Sequence, residues 1–229
     1  MALILQLETS TEVCSVALSK NGQLIQCYET SDSNSHTEKL TLLISQCLID
    51  AGYKISQIDA VAVSDGPGSY TSLRIGAATS KGICYATGCP LIIVNSLSTL
   101  AYGIPKDKIH PNDIIVPMID ARRMEVYMSV LDDGYNIIDP TKSAILDGDS
   151  FSLYTGTKNN IHLCGNGAKK WWDIYGTNQF YIHHTNTSAK YMTTEAFNAY
   201  IEKRFTGIID YTPKYFKSPN ITKSLKKIF

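Results

Sequence analysis

The sequence predicts an α/β fold of two related lobes, each built from a β-meander with helices. Short apolar runs rich in β-branched residues alternate with segments of helical length along the chain. The opening pattern also repeats: Glu8 precedes Gly22 by fourteen residues, and Asp120 precedes Gly134 by fourteen. A repeated strand plan implies two similar lobes with a cleft between them.

The first lobe is predicted over residues 1–104. The Asn21-Gly22 hairpin signal indicates a meander, and the apolar stripe from Leu40 to Ala51 indicates an amphipathic helix. We predict strands at 3–7, 13–19, 23–29, 58–63 and 91–94, and helices at 36–51, 72–86 and 96–102. Gly103-Ile104-Pro105 interrupts this pattern, and the boundary between the lobes is predicted there.

The second lobe is predicted over residues 105–229. Its strands are expected at 114–119, 125–131 and 161–163, and its helices at 147–154 and 189–205. From Tyr211 onward the chain carries five lysines and no acidic residue. This basic tail has two open interpretations, contact with RNA phosphates or a solvated terminus.

The charge balance, the cysteine spacing and the first residues limit the kinds of protein that this chain can be. Lys plus Arg equals Asp plus Glu at 21 each, so no overall charge draws the chain to nucleic acid or to an anionic membrane. The six cysteines contain no Cys-x-x-Cys pair, which favours free thiols over zinc or disulfides. The first residues lack the basic segment and the apolar length of a signal peptide. We therefore expect a cytoplasmic protein without membrane contact.

Glycine-containing turns between strands and helices are candidates for anion binding. Backbone N–H groups at a helix N-terminus favour anions, and the alternative is an ordinary βα turn. Together with the hydroxyls that follow the first strand, these turns give a possible nucleotide-binding set of Thr9, Ser10, Gly66, Gly68, Gly165 and Gly167.

Two helices have features typical of a partner surface. The helix predicted at 72–86 has two interior glycines, Gly76 and Gly82, which cost roughly 1 kcal/mol each relative to alanine. Close approach by a sheet or by another helix, including one from a second chain, would explain them. On the helix at 36–51, Leu42 and Ile49 lie opposite the apolar stripe. A second apolar seam is what a partner helix would contact.

Several segments together resemble the TsaB (YeaZ) family. The resemblance covers most of the chain and is strongest from Leu3 to Val130. It rests on residues 8–11, 14–18, 35–40, 65–76 and 120–127, and its most specific part is Gly66-Pro67-Gly68-Ser69 followed by Leu73-Arg74-Ile75-Gly76.

Membership of this family implies an actin-like ATPase (ASKHA, RNase H-like) fold of two lobes. It implies a role in making threonylcarbamoyladenosine at position 37 of tRNA (t6A37). TsaB is the dimerisation subunit there, TsaD is the catalytic paralogue and TsaE supplies an ATPase. The expected partners are therefore a TsaD-type protein, a TsaE-type ATPase and a second copy of the chain, with tRNA met only through the complex. No cofactor is expected in the isolated chain, whereas ATP with Mg²⁺ is compatible with the complex.

The resemblance also implies that this chain is not the catalytic subunit. TsaD-like enzymes carry a metal-binding His-x-x-x-His pair on the helix after a Val-Asn strand end. Here Val94-Asn95 is followed by Ser96-Leu97-Ser98-Thr99-Leu100, so both imidazole positions are lost. We expect no catalytic and no metal-ligating residues. The expected partner interface comprises His36, Leu40, Leu42, Leu43, Cys47, Ile49, Tyr70, Leu73, Arg74, Ala77, Ala78, Ser80 and Lys81.

Two other functions stay open on the residues alone. The first is an independent ATP-using enzyme of the sugar-kinase type, in which Glu8, Thr9, Ser10 and Asp120 would surround a nucleotide. The second is a protease, although no Ser/His/Asp set has a spacing that supports it.

Overall fold

The computed structural model describes residues 1–31, 36–155 and 160–217. Within these residues the chain forms two five-stranded mixed sheets. The first contains β1 (Leu3–Glu8), β2 (Cys14–Lys20), β3 (Gln23–Thr30), β4 (Ala60–Ser64) and β5 (Leu91–Val94). The second contains β6 (Ile114–Asp120), β7 (Glu125–Leu131), β8 (Ile137–Ile145), β9 (Ile161–Cys164) and β10 (Phe180–His183).

The two sheets share one topology. The first has the order β3-β2-β1-β4-β5, with an antiparallel meander and two parallel strands added beside β1. The second has the order β10-β9-β6-β7-β8, in which β6 takes the place of β1. The predicted repeat of two meander-based lobes is confirmed. The shared spacing from acid to turn glycine reflects equivalent strand lengths in the two meanders.

Two helices cover one face of the first sheet. They are α1 (His36–Asp50) and α2 (Tyr70–Thr87), and they pack against each other as well as against the sheet. Alternate strand residues Leu3, Leu5 and Leu7 point into this layer, as the two-residue period of a strand requires. Because α1 and α2 lie in one layer, their outward faces form one surface on the far side from the sheet.

The other face of the first sheet is covered by the C-terminal part of the chain. A 3-10 turn at Ala189–Met192 and helix α6 (Thr193–Ile201) pack on Ile4 and Ala62, and Tyr211 joins the core beneath α1 and α2. Conversely, helix α3 (Ser96–Ala101) packs on the second sheet. Each sheet therefore packs against a helix from the other half of the sequence, across the division predicted at residues 104 and 105.

The second sheet has its own core. Phe151, Trp171 and Phe180 form an aromatic cluster beneath helix α5 (Ala168–Tyr175), with Trp171 and Phe180 ring centroids 4.6 Å apart. The indole N–H of Trp171 donates to the Asp147 carbonyl oxygen at 2.7 Å, so its polar atom is satisfied inside the core. Aromatic side chains thus form the centre of the second core.

Some predicted elements differ from the structure. The helix expected at 147–154 is only α4 (Ser152–Thr155), because Asp147 and Ser150 form local hydrogen bonds that compete with helix formation: Asp147 N–H donates to Ser150 Oγ at 2.7 Å. The helix expected at 189–205 ends at Ile201, before Lys203 with φ 56°. Strands β8 and β10 were missed. β8 contains Pro140, which is tolerated because the strand lies at the sheet edge.

The two interior glycines of α2 have different surroundings. A Cβ on Gly76 would lie 2.4 Å from Thr9 Oγ1, whereas a Cβ on Gly82 would meet nothing within 4 Å. We expect Gly76→Ala to destabilise the chain by about 1–3 kcal/mol through overpacking. Gly82→Ala is expected to stabilise it by up to about 1 kcal/mol through helix propensity. Urea unfolding of both variants checks this, and midpoints that move in the same direction would contradict it.

Candidate functional site

A cleft of about 600 Å³ lies between the two lobes. The loop after β1, the N-terminal end of α2 and the loop after β6 line it, and residues 214–217 form a further wall. The polar and charged side chains along it are Ser10, Thr11, Glu12, His36, Ser69, Thr71, Ser72, Asp120, Arg122, Asn166, Lys214 and Lys217. The repeated topology places these loops opposite each other, because β1 and β6 occupy equivalent positions in their sheets.

The glycine-containing loop before α2 is held against the loop after β1. Ser69 N–H donates to the Ser10 carbonyl oxygen at 2.7 Å, and a Cβ on Gly68 would lie only 2.2 Å from that same oxygen. Ser69 then serves as the N-cap of α2 and accepts a bond from Ser72 N–H at 3.5 Å. Gly68 is therefore required by this close backbone approach.

Asn166 connects the two sides of the cleft. Its amide nitrogen donates to Glu12 Oε2 at 3.2 Å, and its amide oxygen accepts a bond from Asp120 N–H at 2.9 Å. Asp120 in turn forms an ion pair with Lys170 at 2.6 Å. The acid at the end of β6 is thus already compensated by the chain's own lysine.

Residues 214–217 cross from the first lobe to the second. Lys214 Nζ lies 3.1 Å from Oδ2 of the buried Asp65, and Lys217 forms an ion pair with Glu125 on β7. Burial raises the pKa of Asp65, while the hydrogen bond and the charge of Lys214 oppose that rise. Two of the five tail lysines therefore have carboxylate partners, and Lys223, Lys226 and Lys227 lie outside the described residues.

The predicted nucleotide-binding set is mostly explained by packing. Only Ser10 and Gly68 line the cleft. The Thr9 hydroxyl lies beneath α2, and a Cβ on Gly66 would be 2.7 Å from the Lys214 carbonyl oxygen. A Cβ on Gly165 or on Gly167 would contact the Met118 backbone. Close approach between segments accounts for these four residues, and their part in nucleotide binding stays a prediction.

The arrangement expected for an ATP-using enzyme is also incomplete. Glu8 is fully buried and does not line the cleft; it accepts a hydrogen bond from Ser10 N–H at 2.6 Å. Burial raises the pKa of Glu8, which removes it further from the role of a solvent-facing acid. Of the four residues in that hypothesis, only Ser10 and Asp120 reach the cleft. The four residues therefore do not come together around one nucleotide position.

A buried Asp–His pair lies in the second lobe. His162 Nε2 is 3.0 Å from Asp113 Oδ2, and His162 Nδ1 is 2.9 Å from His183 Nε2. The third position of a hydrolytic triad would be a serine or cysteine nucleophile, but a second imidazole occupies it. Burial lowers the pKa of His183 to about 4, which keeps that ring neutral. This pair therefore gives the protease hypothesis no support.

The outward faces of α1 and α2 carry exposed apolar and small residues. On α1, Leu42 is 62% exposed and Ile49 is 67% exposed. On α2, Tyr85 is 84% exposed, and Ala78 and Gly82 are exposed as well. We call these five residues the α1–α2 surface. The predicted second apolar seam on α1 is thus exposed, as the helical wheel indicated.

The predicted interface residues divide by burial. Five are exposed: Leu42, Ile49, Tyr70, Arg74 and Ala78. Leu43 and Lys81 are half-buried, and Lys81 Nζ is held by the carbonyl oxygens of Ile209 and Tyr211 at 3.2 and 3.1 Å. Six are buried in the chain's own structure: His36, Leu40, Cys47, Leu73, Ala77 and Ser80. The apolar stripe of α1 and the small side chains of α2 face the sheet, whereas His36 lines the cleft. Direct contact of these six residues with a partner stays a prediction.

Arg74 has partners within the chain. Its Nε donates to the Tyr215 hydroxyl at 3.1 Å, and its guanidinium carbon lies 4.2 Å from the Tyr70 ring centroid. Tyr70 and Tyr215 have ring centroids 4.7 Å apart. The position of Arg74 near the helix N-terminus indicates a specific partner, but the sequence did not pair it with Tyr215, which is 141 residues away. Asn166 was also missed, although it lies inside the turn that was noted.

Two other kinds of site are absent from the part of the chain that the structure describes. Across 1–31, 36–155 and 160–217, no group of three or more His, Cys, Asp or Glu side chains is placed to hold a metal ion. None of the helices in these ranges is both long and apolar enough to cross a membrane.

Comparison with known proteins agrees with this architecture. The family model for TsaD, tRNA N6-adenosine threonylcarbamoyltransferase, matches residues 29–225. The TsaB protein of Haemophilus influenzae, a tRNA threonylcarbamoyladenosine biosynthesis protein, is 36% identical over 126 residues, which are 55% of this chain and 52% of that protein. This chain belongs to the TsaB (YeaZ) family. It spans about half the length of the curated TsaB proteins that it matches.

The fold of this TsaB-family chain also resembles the folds of solved structures. A Pseudomonas aeruginosa protein described as similar to peptidase YEAZ has a TM-score of 0.79 at 24% identity, covering 95% of this chain and 100% of that one. The activator of the 2-hydroxyisocaproyl-CoA dehydratase from Clostridium difficile, solved with bound ADPNP, has a TM-score of 0.50 at 10% identity, covering 89% and 96%. The fold is the actin-like ATPase (ASKHA) fold, as the resemblance implied.

Proposed function

We propose that this chain is the non-catalytic subunit that pairs with and activates a TsaD-type threonylcarbamoyltransferase in t6A modification of tRNA adenosine 37. The observation that carries the proposal is the exposed α1–α2 surface on a member of the TsaB family. Apolar side chains that remain exposed on a helical layer favour burial against another helical layer. The TsaB name of the relatives supports the pathway.

The residues on α3 support a non-catalytic role. Ser96 and Leu100 stand where TsaD-like enzymes have imidazole ligands, and both are buried against the chain's own core. A leucine has no donor atom, and a serine hydroxyl is a poor substitute for imidazole at a transition-metal site. The chemistry of the transfer is therefore assigned to the partner, together with the contact to tRNA.

The proposal assigns no cofactor to the isolated chain. The cleft offers Ser10 and Arg122, but Lys170 already compensates Asp120, and Glu8 lies beneath the surface. ATP with Mg²⁺ is expected to act only in the complex, where a TsaE-type ATPase is the further expected partner. A second copy of the chain is the competing occupant of the α1–α2 surface.

Depletion of the protein in its native host tests the pathway. We expect the t6A nucleoside in digests of total tRNA, measured by mass spectrometry, to fall at least about tenfold, because modification would lack its second subunit. Restoring the wild-type chain should restore t6A. The matched control is the Ile145→Asp variant, which changes a residue that is 76% exposed on β8, away from α1 and α2. This variant should restore the t6A level as well as the wild-type chain does. An unchanged t6A level on depletion would refute the proposed pathway.

A further inference from the structure

Two thiols lie together at the C-terminal end of α2. The Sγ atoms of Cys84 and Cys89 are 4.0 Å apart, and all six cysteines of the chain are free. Between them, Gly88 ends the helix with φ 75°, and its N–H donates to the Cys84 carbonyl oxygen at 2.8 Å. A disulfide needs the sulfurs to approach to about 2.0 Å, so the two Sγ atoms must move closer together before the bond can form.

The two thiols have different environments. Cys84 is 2% exposed and belongs to the core under α1 and α2, whereas Cys89 is half-buried and reachable from solvent. The Thr87 hydroxyl lies 3.1 Å from Cys89 Sγ and can stabilise a thiolate there. Hydrogen bonding with Cys84 and with Thr87 lowers the pKa of Cys89, while the same contact between the two sulfurs raises the pKa of Cys84. The accessible sulfur therefore has the larger fraction of thiolate, which is the reactive form.

We propose that Cys84 and Cys89 are a reversible oxidation site for hydroperoxides. The Cys89 thiolate attacks one peroxide oxygen, the O–O bond breaks, and the released hydroxide or alkoxide takes a proton. The Cys84 sulfur then attacks the sulfur of the resulting sulfenic acid, forming the S–S bond and releasing water. Overall, two thiols and one hydroperoxide give one disulfide, one water and one water or alcohol, and a dithiol reductant reverses the bond.

This site does not depend on the proposed partner. It joins the last turn of α2 to the residue two positions before β5, across the helix C-cap. The expected structural effect is that α2 is covalently pinned where it leaves the sheet layer. Tyr85, next to Cys84, belongs to the α1–α2 surface, so oxidation state is a property to control in any binding experiment.

Hydrogen peroxide with the reduced full chain is the test. We expect tryptic mapping to show a Cys84–Cys89 disulfide, the loss of two hydrogen atoms in intact mass, and full reversal by dithiothreitol. In Cys84→Ser, dimedone should trap a sulfenic acid on Cys89, because the resolving thiol is gone. In Cys89→Ser, neither product should form.

Cys27 supplies the matched control. It is also half-buried, but burial and the nearby Glu29 raise its pKa to about 11. Cys27→Ser should oxidise like the wild type, and dimedone labelling of Cys27 should be at least tenfold slower than that of Cys89. Peptide mapping of the wild-type chain keeps the test valid if a variant misfolds. Absence of the Cys84–Cys89 disulfide, or equal labelling of Cys27 and Cys89, would overturn the proposal.

Discussion

Replacing Leu42 and Ile49 together with aspartate is expected to weaken binding of a TsaD-type partner at least about 100-fold, equivalent to about 2.7 kcal/mol. Both side chains are more than three-fifths exposed on α1, so the free chain should fold normally. In a complex they would place two unpaired carboxylates in an apolar contact, and burying an unpaired charge is costly. Calorimetry with the purified TsaD-type protein from the same organism measures the change.

The control for this experiment uses a residue of similar exposure on the other lobe. Ile145→Asp should leave the affinity within about twofold of wild type. Ala78→Trp should act like the double aspartate variant, since Ala78 is exposed on α2, whereas Ala77 is buried and a large residue there would disturb the core. Undiminished binding by the double variant would refute the interface and leave the pathway to be judged from t6A levels. Loss of self-association instead of TsaD binding would assign the surface to a second copy.

Gly165→Ala is expected to destabilise the chain by about 3 kcal/mol or more. A Cβ at this position would lie 2.2 Å from Leu100 Cδ2 and 2.3 Å from the Met118 carbonyl oxygen. The glycine also has φ 94°, a conformation that L-residues adopt only with strain. The backbone of β6 cannot move without disturbing its pairing with β9, so little relaxation is available. Urea denaturation should show a much lower midpoint.

Gly88→Ala separates the two contributions to the destabilisation expected for Gly165→Ala, steric overlap and backbone strain. Gly88 has φ 75°, but a Cβ there would meet nothing within 4 Å. Its substitution should cost only about 1–2 kcal/mol, the strain of the left-handed conformation alone. Equal midpoints for the two variants would show that the contacts around Gly165 relax and that its turn is not a packing requirement.

Local patterns predicted the strands of the first lobe well. β5 matches its predicted range, and β1 to β3 differ only at their ends, because alternation and the Asn21-Gly22 turn are read from adjacent residues. β8 gave a weaker signal, since Pro140, Lys142 and Ser143 mask its apolar positions on an edge strand. The site was less predictable. The small residues of α2 were assigned to a partner, but a sheet and a partner helix demand the same small side chains, and only tertiary packing distinguishes them.

By itself, the sequence determined that the chain has two meander-based lobes, that it resembles the TsaB family, and that Val94-Asn95 is followed by no histidine at 96–100. Tertiary structure alone decided that α3 packs on the second sheet and α6 on the first. It also decided that residues 214–217 line the cleft, and which faces of α1 and α2 remain exposed. The physical reason is the separation along the chain over which each interaction acts. Turn chemistry and periodicity act between near neighbours in the chain, whereas the packing of one segment on another depends on contacts between residues far apart in sequence.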